Sequence, residues 1–276
     1  MKKKILTLAA LAAFGVSALA GVNSFTLTDG SWTYRERNLY GEANRTGTLP
    51  GSADFVSGGT DHLYQNWFWY RGTGDTREFA LSYQTFFNQL APNKVQLQYT
   101  EPTGSGGSLK FDLTYTLTDL GSNSALTVID ILVTSVGRNE VHLFPYIDYD
   151  LAGSSSNSAT LEFFGGTDGA MKITHASGTF GWFQMQAPGG GLSHWEIGAW
   201  PSVRNKLTNG QIDDLSDGVS PFTGDFTGAF QWSMQMEDGQ QAQLRVVKGI
   251  NAVPEPGTLL AIGAGLAALA ARRRRK

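Results

Sequence analysis

Phe111-Asp112-Leu113-Thr114-Tyr115-Thr116-Leu117-Thr118, then the turn Gly121-Ser122-Asn123-Ser124, then the Val-, Ile- and Thr-rich residues 125–135, decide the fold. Phe111, Leu113, Tyr115 and Leu117 alternate with Asp112, Thr114, Thr116 and Thr118. A period of two puts the apolar set on one face and the polar set on the other, because successive side chains of a strand point to opposite sides. Two such runs joined by a short Gly/Ser/Asn turn predict an antiparallel hairpin.

The same alternation recurs outward from this hairpin. Val95, Leu97 and Tyr99 show it, as do Trp195, Ile197 and Ala199, and Ala242, Leu244 and Val246. The longest run is Phe226, Gly228, Phe230, Trp232, Met234 and Met236. Turn-rich stretches at 72–75, 103–108, 153–158, 165–169 and 188–191 separate the runs. Residues 76–90 read as a strand, since Tyr83, Thr85 and Phe87 alternate, although Glu78-Phe79-Ala80-Leu81 could open a short helix. No part of the body shows a helical period. About a dozen strands at this spacing predict an all-β protein with a single large antiparallel β-sandwich over residues 21–253.

The chain has no cysteine, so its core must hold the fold without disulfides, and thiol nucleophiles and Cys-based zinc sites are excluded. More than 200 residues suffice for a large apolar interior. Lys2, Lys3, Lys4 and the five bases of residues 272–276 account for eight of the 21 basic residues. With Glu255 also set aside, 13 basic and 23 acidic residues leave the body near −10. Such a balance argues against nucleic acid as a partner and suits a soluble exported protein.

Both ends concern destination. Lys2–Lys4 form a positive n-region, residues 5–16 an apolar h-region, and Ala18-Leu19-Ala20 a small-residue cleavage site before Gly21. These features predict a signal peptide over residues 1–20 that uses the Sec machinery. At the other end, Val253-Pro254-Glu255-Pro256-Gly257-Thr258 precedes an uncharged Leu/Ala-rich stretch, residues 259–271, and then Arg272-Arg273-Arg274-Arg275-Lys276. The prolines fix φ and hold Glu255 in an extended, accessible segment. The apolar stretch predicts a short transmembrane helix, below the ~30 Å of a bilayer core, with the bases on the cytoplasmic side of the inner membrane.

Residues 254–276 resemble the PEP-CTERM sorting tail on three features in order: Pro254, Glu255 and Pro256, the helix after them, and the basic end. The resemblance implies recognition by an exosortase, an integral-membrane protease of transpeptidase type, in bacteria that make exopolysaccharide. It implies a precursor tethered to the inner membrane and then a cell-surface or extracellular-matrix location in a biofilm envelope.

Signals of chemistry within the body are sparse. His62, His142, His175 and His194 are scattered, with no metal-ligand spacing, and there is no G-x-S-x-G elbow or phosphate-binding loop. In Tyr146-Ile147-Asp148-Tyr149-Asp150, a strand would put Asp148 and Asp150 on one face, ~7 Å apart. That pair suits an inverting glycosidase, half of a calcium site, or a solvent-facing strand end. Asp213-Asp214-Leu215-Ser216-Asp217-Gly218 lacks the alternation of a calcium loop and reads as a hydrated turn. Trp67-Phe68-Trp69-Tyr70-Arg71 is aromatic on both faces. A central strand would make all its rings core, whereas an edge strand would offer Trp67, Trp69 or Tyr70 as platforms for sugar rings. Asp61, His62, Arg71, Asp75, Arg77 and Glu78 would flank such a groove, or Asp75 and Arg77 would simply pair. The sequence thus predicts a non-enzymatic envelope or matrix protein, with a glycan-binding module and a carbohydrate-active enzyme using Asp148 and Asp150 as the alternatives. It calls for no cofactor unless calcium binds.

Overall fold

In the computed structural model, residues 24–37 and 52–253 are described. The expected cleavage residues Ala18, Ala20 and Gly21, the sorting residues Pro254, Glu255 and Pro256, and the transmembrane stretch lie outside them. The first strands are β1 (Ser24–Asp29), β2 (Trp32–Arg37), β3 (Ala53–Ser57), β4 (Thr60–Asp61), β5 (Gln65–Arg71) and β6 (Phe79–Ala80). Then follow β7 (Gln84–Ala91), β8 (Lys94–Pro102), β9 (Ser108–Gly121), β10 (Ser124–Val136) and β11 (Asn139–Asp148). A 3-10 turn (Leu151–Gly153) leads to β12 (Asn157–Gly165), β13 (Asp168–Thr174), β14 (Phe180–Gln186) and β15 (Leu192–Ala199). The helix α1 (Ser202–Thr208) precedes β16 (Phe222–Gly224), β17 (Phe226–Met236) and β18 (Gln241–Ile250).

The strands form antiparallel sheets of nine, five and four. The nine-stranded sheet runs β16-β12-β13-β14-β18-β10-β9-β8-β7, the five-stranded sheet β15-β17-β11-β5-β6, and the four-stranded sheet β1-β2-β3-β4. The two smaller sheets lie side by side against the large one. Tyr70 on Phe111 and Phe183 on Phe230 join five strands to nine, and Phe25 on Tyr115 joins four to nine, with ring centroids 4.9–5.7 Å apart. One continuous apolar core fills the interface. This is the all-β sandwich that the alternation predicts.

The founding hairpin is β9–β10, in register from Asp119↔Ala125 to Ser108↔Val136. Its turn residues Ser122 and Asn123 both have positive φ, as a two-residue primed turn requires. Along β9 the burial alternates with the sequence, Phe111, Leu113, Tyr115 and Leu117 facing the core.

Two details differ from the sequence reading. The strand expected across 76–90 is broken into β6 and β7, and Tyr83 between them is exposed. The body also contains α1, whose seven residues are too few to display a helical period. Its Val203 and Leu207, one turn apart, are buried where the helix packs on β15 and β17. That cover explains why β17 is closed on both faces over most of its length.

Candidate functional site

The aromatic run of β5 settles by position. β5 lies between β11 and β6 rather than at the open edge, so every residue from Gln65 to Arg71 is buried. Trp67 and Trp69 are 1% exposed and Tyr70 is closed off entirely. The indole N–H of Trp67 donates to the Leu81 carbonyl at 3.2 Å, Trp69 meets Tyr146 edge-on, and the Tyr70 hydroxyl donates to the Pro102 carbonyl at 3.0 Å. None of the three rings presents a face to a sugar.

The charged residues beside this run are consumed in the scaffold. Arg71 pairs with Glu78 and with Asp214. Asp75 accepts hydrogen bonds from the Gly72 and Gly104 amides at 2.7 and 2.8 Å instead of pairing with Arg77, which donates to the Thr208 carbonyl. The segment 213–218 is equally engaged. Asp214 accepts from Arg71 and Gln231, Asp217 accepts from the Trp195 amide and meets His194, and Leu215 is buried. Its acids bind the protein rather than water alone.

Asp148 behaves differently. It is the last residue of β11, in register with Gln65, and is only 1% exposed. The solvent-facing strand end that the sequence allows is therefore not formed. The Asp148 carbonyl accepts from the Tyr64 amide at 2.9 Å, which fixes the backbone, yet neither oxygen of its carboxylate has a hydrogen-bond partner among the described residues. Asp150 caps the 3-10 turn, its amide held by the His62 carbonyl at 3.1 Å, and is half-buried. A third acid, Asp225, comes from the junction of β16 and β17, where its carbonyl accepts from the Trp200 amide at 2.8 Å.

One carboxylate oxygen from each of Asp148, Asp150 and Asp225 lies within 4.8 Å of the others. Together with Tyr64, Ser155 and Trp200 they line a cleft of about 200 Å³. Tyr64 and Trp200 are 51% and 38% exposed, large aromatic side chains at its mouth. Burial, reinforced by the charges of Asp150 and Asp225 and opposed by Arg204, pushes the Asp148 carboxyl up to about 8. Burial also raises Asp150, with Asp225 and Asp61 adding to the effect. Three acids this close must share protons or a cation. They are nearer than the ~6.5–9.5 Å that leaves room for a water between an inverting pair. Sequence spacing offers Asp148 and Asp150; Asp225, 75 positions further on, carries no local signal and reaches them only through the fold.

A second buried polar cluster was also silent in the chain's motifs. Glu36, Tyr34, Asn66, Tyr115 and Lys248 meet in the core. The available hint was Lys248 itself, a lysine at the inward parity of Leu244, Val246 and Ile250.

Several solved structures align with this chain at low similarity. A GalM/aldose epimerase homologue from C. elegans aligns over 84% of this chain and 99% of its own, at 10% identity and TM-score 0.49. A galactose mutarotase-like protein from Lactobacillus casei aligns over 82% and 99%, at 10% identity and TM-score 0.46. A bacterial glucoamylase complexed with acarbose aligns over 82% of this chain and 31% of its own, at 9% identity and TM-score 0.46. Similarity at this level does not extend to activity. No curated protein matches the sequence. Residues 252–275, however, match the PEP-CTERM protein-sorting motif, so the chain carries a sorting tail that implies export and processing by an exosortase.

Proposed function

We propose that this chain is a β-sandwich protein of the cell surface or extracellular matrix, tethered at the inner membrane until an exosortase processes it, with a structural or interaction role in the exopolysaccharide envelope and no catalytic one. The observation that carries this reading is the sorting motif at 252–275, which begins two residues after β18 ends at Ile250. β18 is an interior strand, paired with β14 on one side and β10 on the other. The tail thus leaves a strand anchored on both sides, so a cut near Pro254–Pro256 would release the body without removing any of its sheet. The test compares wild type with a Pro254/Glu255/Pro256→Ala variant by fractionation and by intact mass of the mature chain. Retention of the variant at full length in the inner membrane is the expected result; identical fractionation and identical mass overturn the reading.

A second reading, glycan binding, is supported by the exposed Trp200 and Tyr64 at the mouth of the acidic cleft. An aromatic face beside polar oxygens is the arrangement that stacks and orients a sugar ring. It shifts the contact from Trp67, Trp69 and Tyr70 to the cleft beyond the end of β11. Titration with the host's exopolysaccharide should then show weaker binding by Trp200→Ala; equal binding by wild type and variant removes this reading.

A further inference from the structure

We propose that Asp148, Asp150 and Asp225 form a binding site for one calcium ion, which clamps the end of β11 to the β16–β17 junction. Three independent features of the fold converge there.

The first is the spacing. Calcium binds carboxylate oxygens at about 2.3–2.6 Å, so two ligands on opposite sides of the ion sit up to about 5 Å apart. One oxygen from each of the three acids lies within 4.8 Å of the other two, which permits a common centre at bonding distance from all.

The second is the state of Asp148. A carboxylate with 1% exposure and no hydrogen bond to either oxygen is a costly arrangement in a folded protein. The surrounding backbone is otherwise well satisfied: the Asp148 carbonyl, the Asp150 amide and carbonyl, and the Asp225 carbonyl are all hydrogen-bonded. Only the side-chain oxygens aimed into the cleft lack partners at Asp148. The nearby cation, Arg204, acts on Asp148 through space but makes no hydrogen bond to its carboxylate: it donates to Asn205 and lies over the Trp200 ring at 5.0 Å.

The third is the donor set and its access. The acids offer hard oxygens, and the Nδ1 of nearby His62 already accepts from the Ala152 amide at 3.1 Å. All-oxygen ligation selects calcium, magnesium or manganese over zinc and copper. Three ligands on two segments, the end of β11 with the residue next but one after it and the β16–β17 junction, favour calcium, which tolerates irregular geometry and completes its shell with water. Asp225 is exposed and Asp150 half-exposed, giving the ion an entry path from the cleft.

The full-length protein, purified and stripped with chelator, provides the test. Calcium titration followed by calorimetry and by thermal unfolding should show one ion bound and a Tm that rises with calcium concentration, with magnesium weaker. Asp148→Asn and Asp225→Asn should each weaken binding at least about tenfold, the scale on which even an outer partner of a metal site acts. Asp225 is exposed, so its variant keeps the fold by circular dichroism even if Asp148→Asn does not. Absence of a calcium-dependent shift in wild type overturns the proposal, as does a shift undiminished in Asp225→Asn. Trp200→Ala should leave calcium affinity unchanged, which separates this site from the glycan reading.

Discussion

Lys248 Nζ donates a 2.8 Å hydrogen bond to the hydroxyl of Tyr34 and lies 3.7 Å from the Glu36 carboxylate, with all three side chains closed to solvent. The partners belong to different sheets. Lys248 is on β18 of the nine-stranded sheet and Glu36 on β2 of the four-stranded sheet. Asn66, which donates to Glu36, is on β5 of the five-stranded sheet, and the Tyr115 hydroxyl of β9 donates to the other Glu36 oxygen at 3.3 Å. One buried ion pair therefore ties all three sheets at the point where they meet. Burial pulls the Lys248 ammonium down to about 7 and pushes the Glu36 carboxyl up. The two charges are tolerable only together.

Breaking the pair should cost more than replacing it. Lys248→Met leaves Glu36 without its cation and should destabilise the body by about 3–5 kcal/mol, the range for an orphaned buried charge. Adding Glu36→Gln to Lys248→Met should recover a large part of that loss, because no uncompensated charge remains. Urea unfolding of the two variants and wild type measures both numbers. A double variant no more stable than Lys248→Met would show that packing, and not charge, sets the cost.

His142 should make stability fall in mild acid. Burial, and then the Arg71 charge, lower its imidazole from 6.5 to about 4, despite Asp214 and Glu140 nearby. Above 6.5 the ring is neutral in both folded and unfolded chains, and its contribution is flat. Between 6.5 and about 4 the unfolded chain takes up a proton that the folded chain refuses, so stability drops as pH falls through this window. The loss from this group is at most on the order of 3 kcal/mol. In His142→Gln the unfolding midpoint should change less between pH 7 and pH 4 than in wild type; equal slopes would exclude His142 as a source.

The limits of legibility follow from range. Period-two alternation is local, and so the β9–β10 hairpin, β8, β15, β17 and β18 could all be read from the chain. The fate of Trp67, Trp69 and Tyr70 depends on whether β5 is inside its sheet or at the edge, which is a matter of the neighbours β11 and β6 supply. Alternation cannot report this in β5, because Trp67-Phe68-Trp69-Tyr70 puts aromatic rings on both faces. Asp225 and Lys248 were hidden for a related reason. Their partners lie 75 or more positions away in sequence and meet only when the sheets close. The tail was legible because its meaning is linear: motif, apolar stretch and bases act in order along the chain.

Trp69 tests the core assignment of the aromatic strand. It is 1% exposed and packs edge-on against Tyr146 at 5.6 Å. Trp69→Ala should destabilise by about 3–5 kcal/mol, as emptying a large buried site does. A variant of wild-type stability that had lost affinity for exopolysaccharide would instead make the ring a binding platform.

A close approach of two backbone turns gives the last prediction. The turns at 72–75 and 103–107 touch through glycines, and a Cβ placed on Gly104 would collide with the Gly74 carbonyl and lie 2.7 Å from the Asp75 amide. Neither atom can swing aside, since both are backbone and Asp75 is held by its hydrogen bonds to the Gly72 and Gly104 amides. Gly104→Ala should therefore push the two turns apart and destabilise by about 1–3 kcal/mol, as overpacking does. Gly166 is a matched control: a Cβ there meets nothing within 4 Å, so Gly166→Ala should stay within about 0.5 kcal/mol of wild type. Amide exchange in Gly104→Ala should quicken at Ser105, which donates to the Thr73 carbonyl at 2.8 Å, and at Asp75, whose amide donates to the Gly72 carbonyl. Unchanged exchange at both amides would mean that the two turns do not support each other.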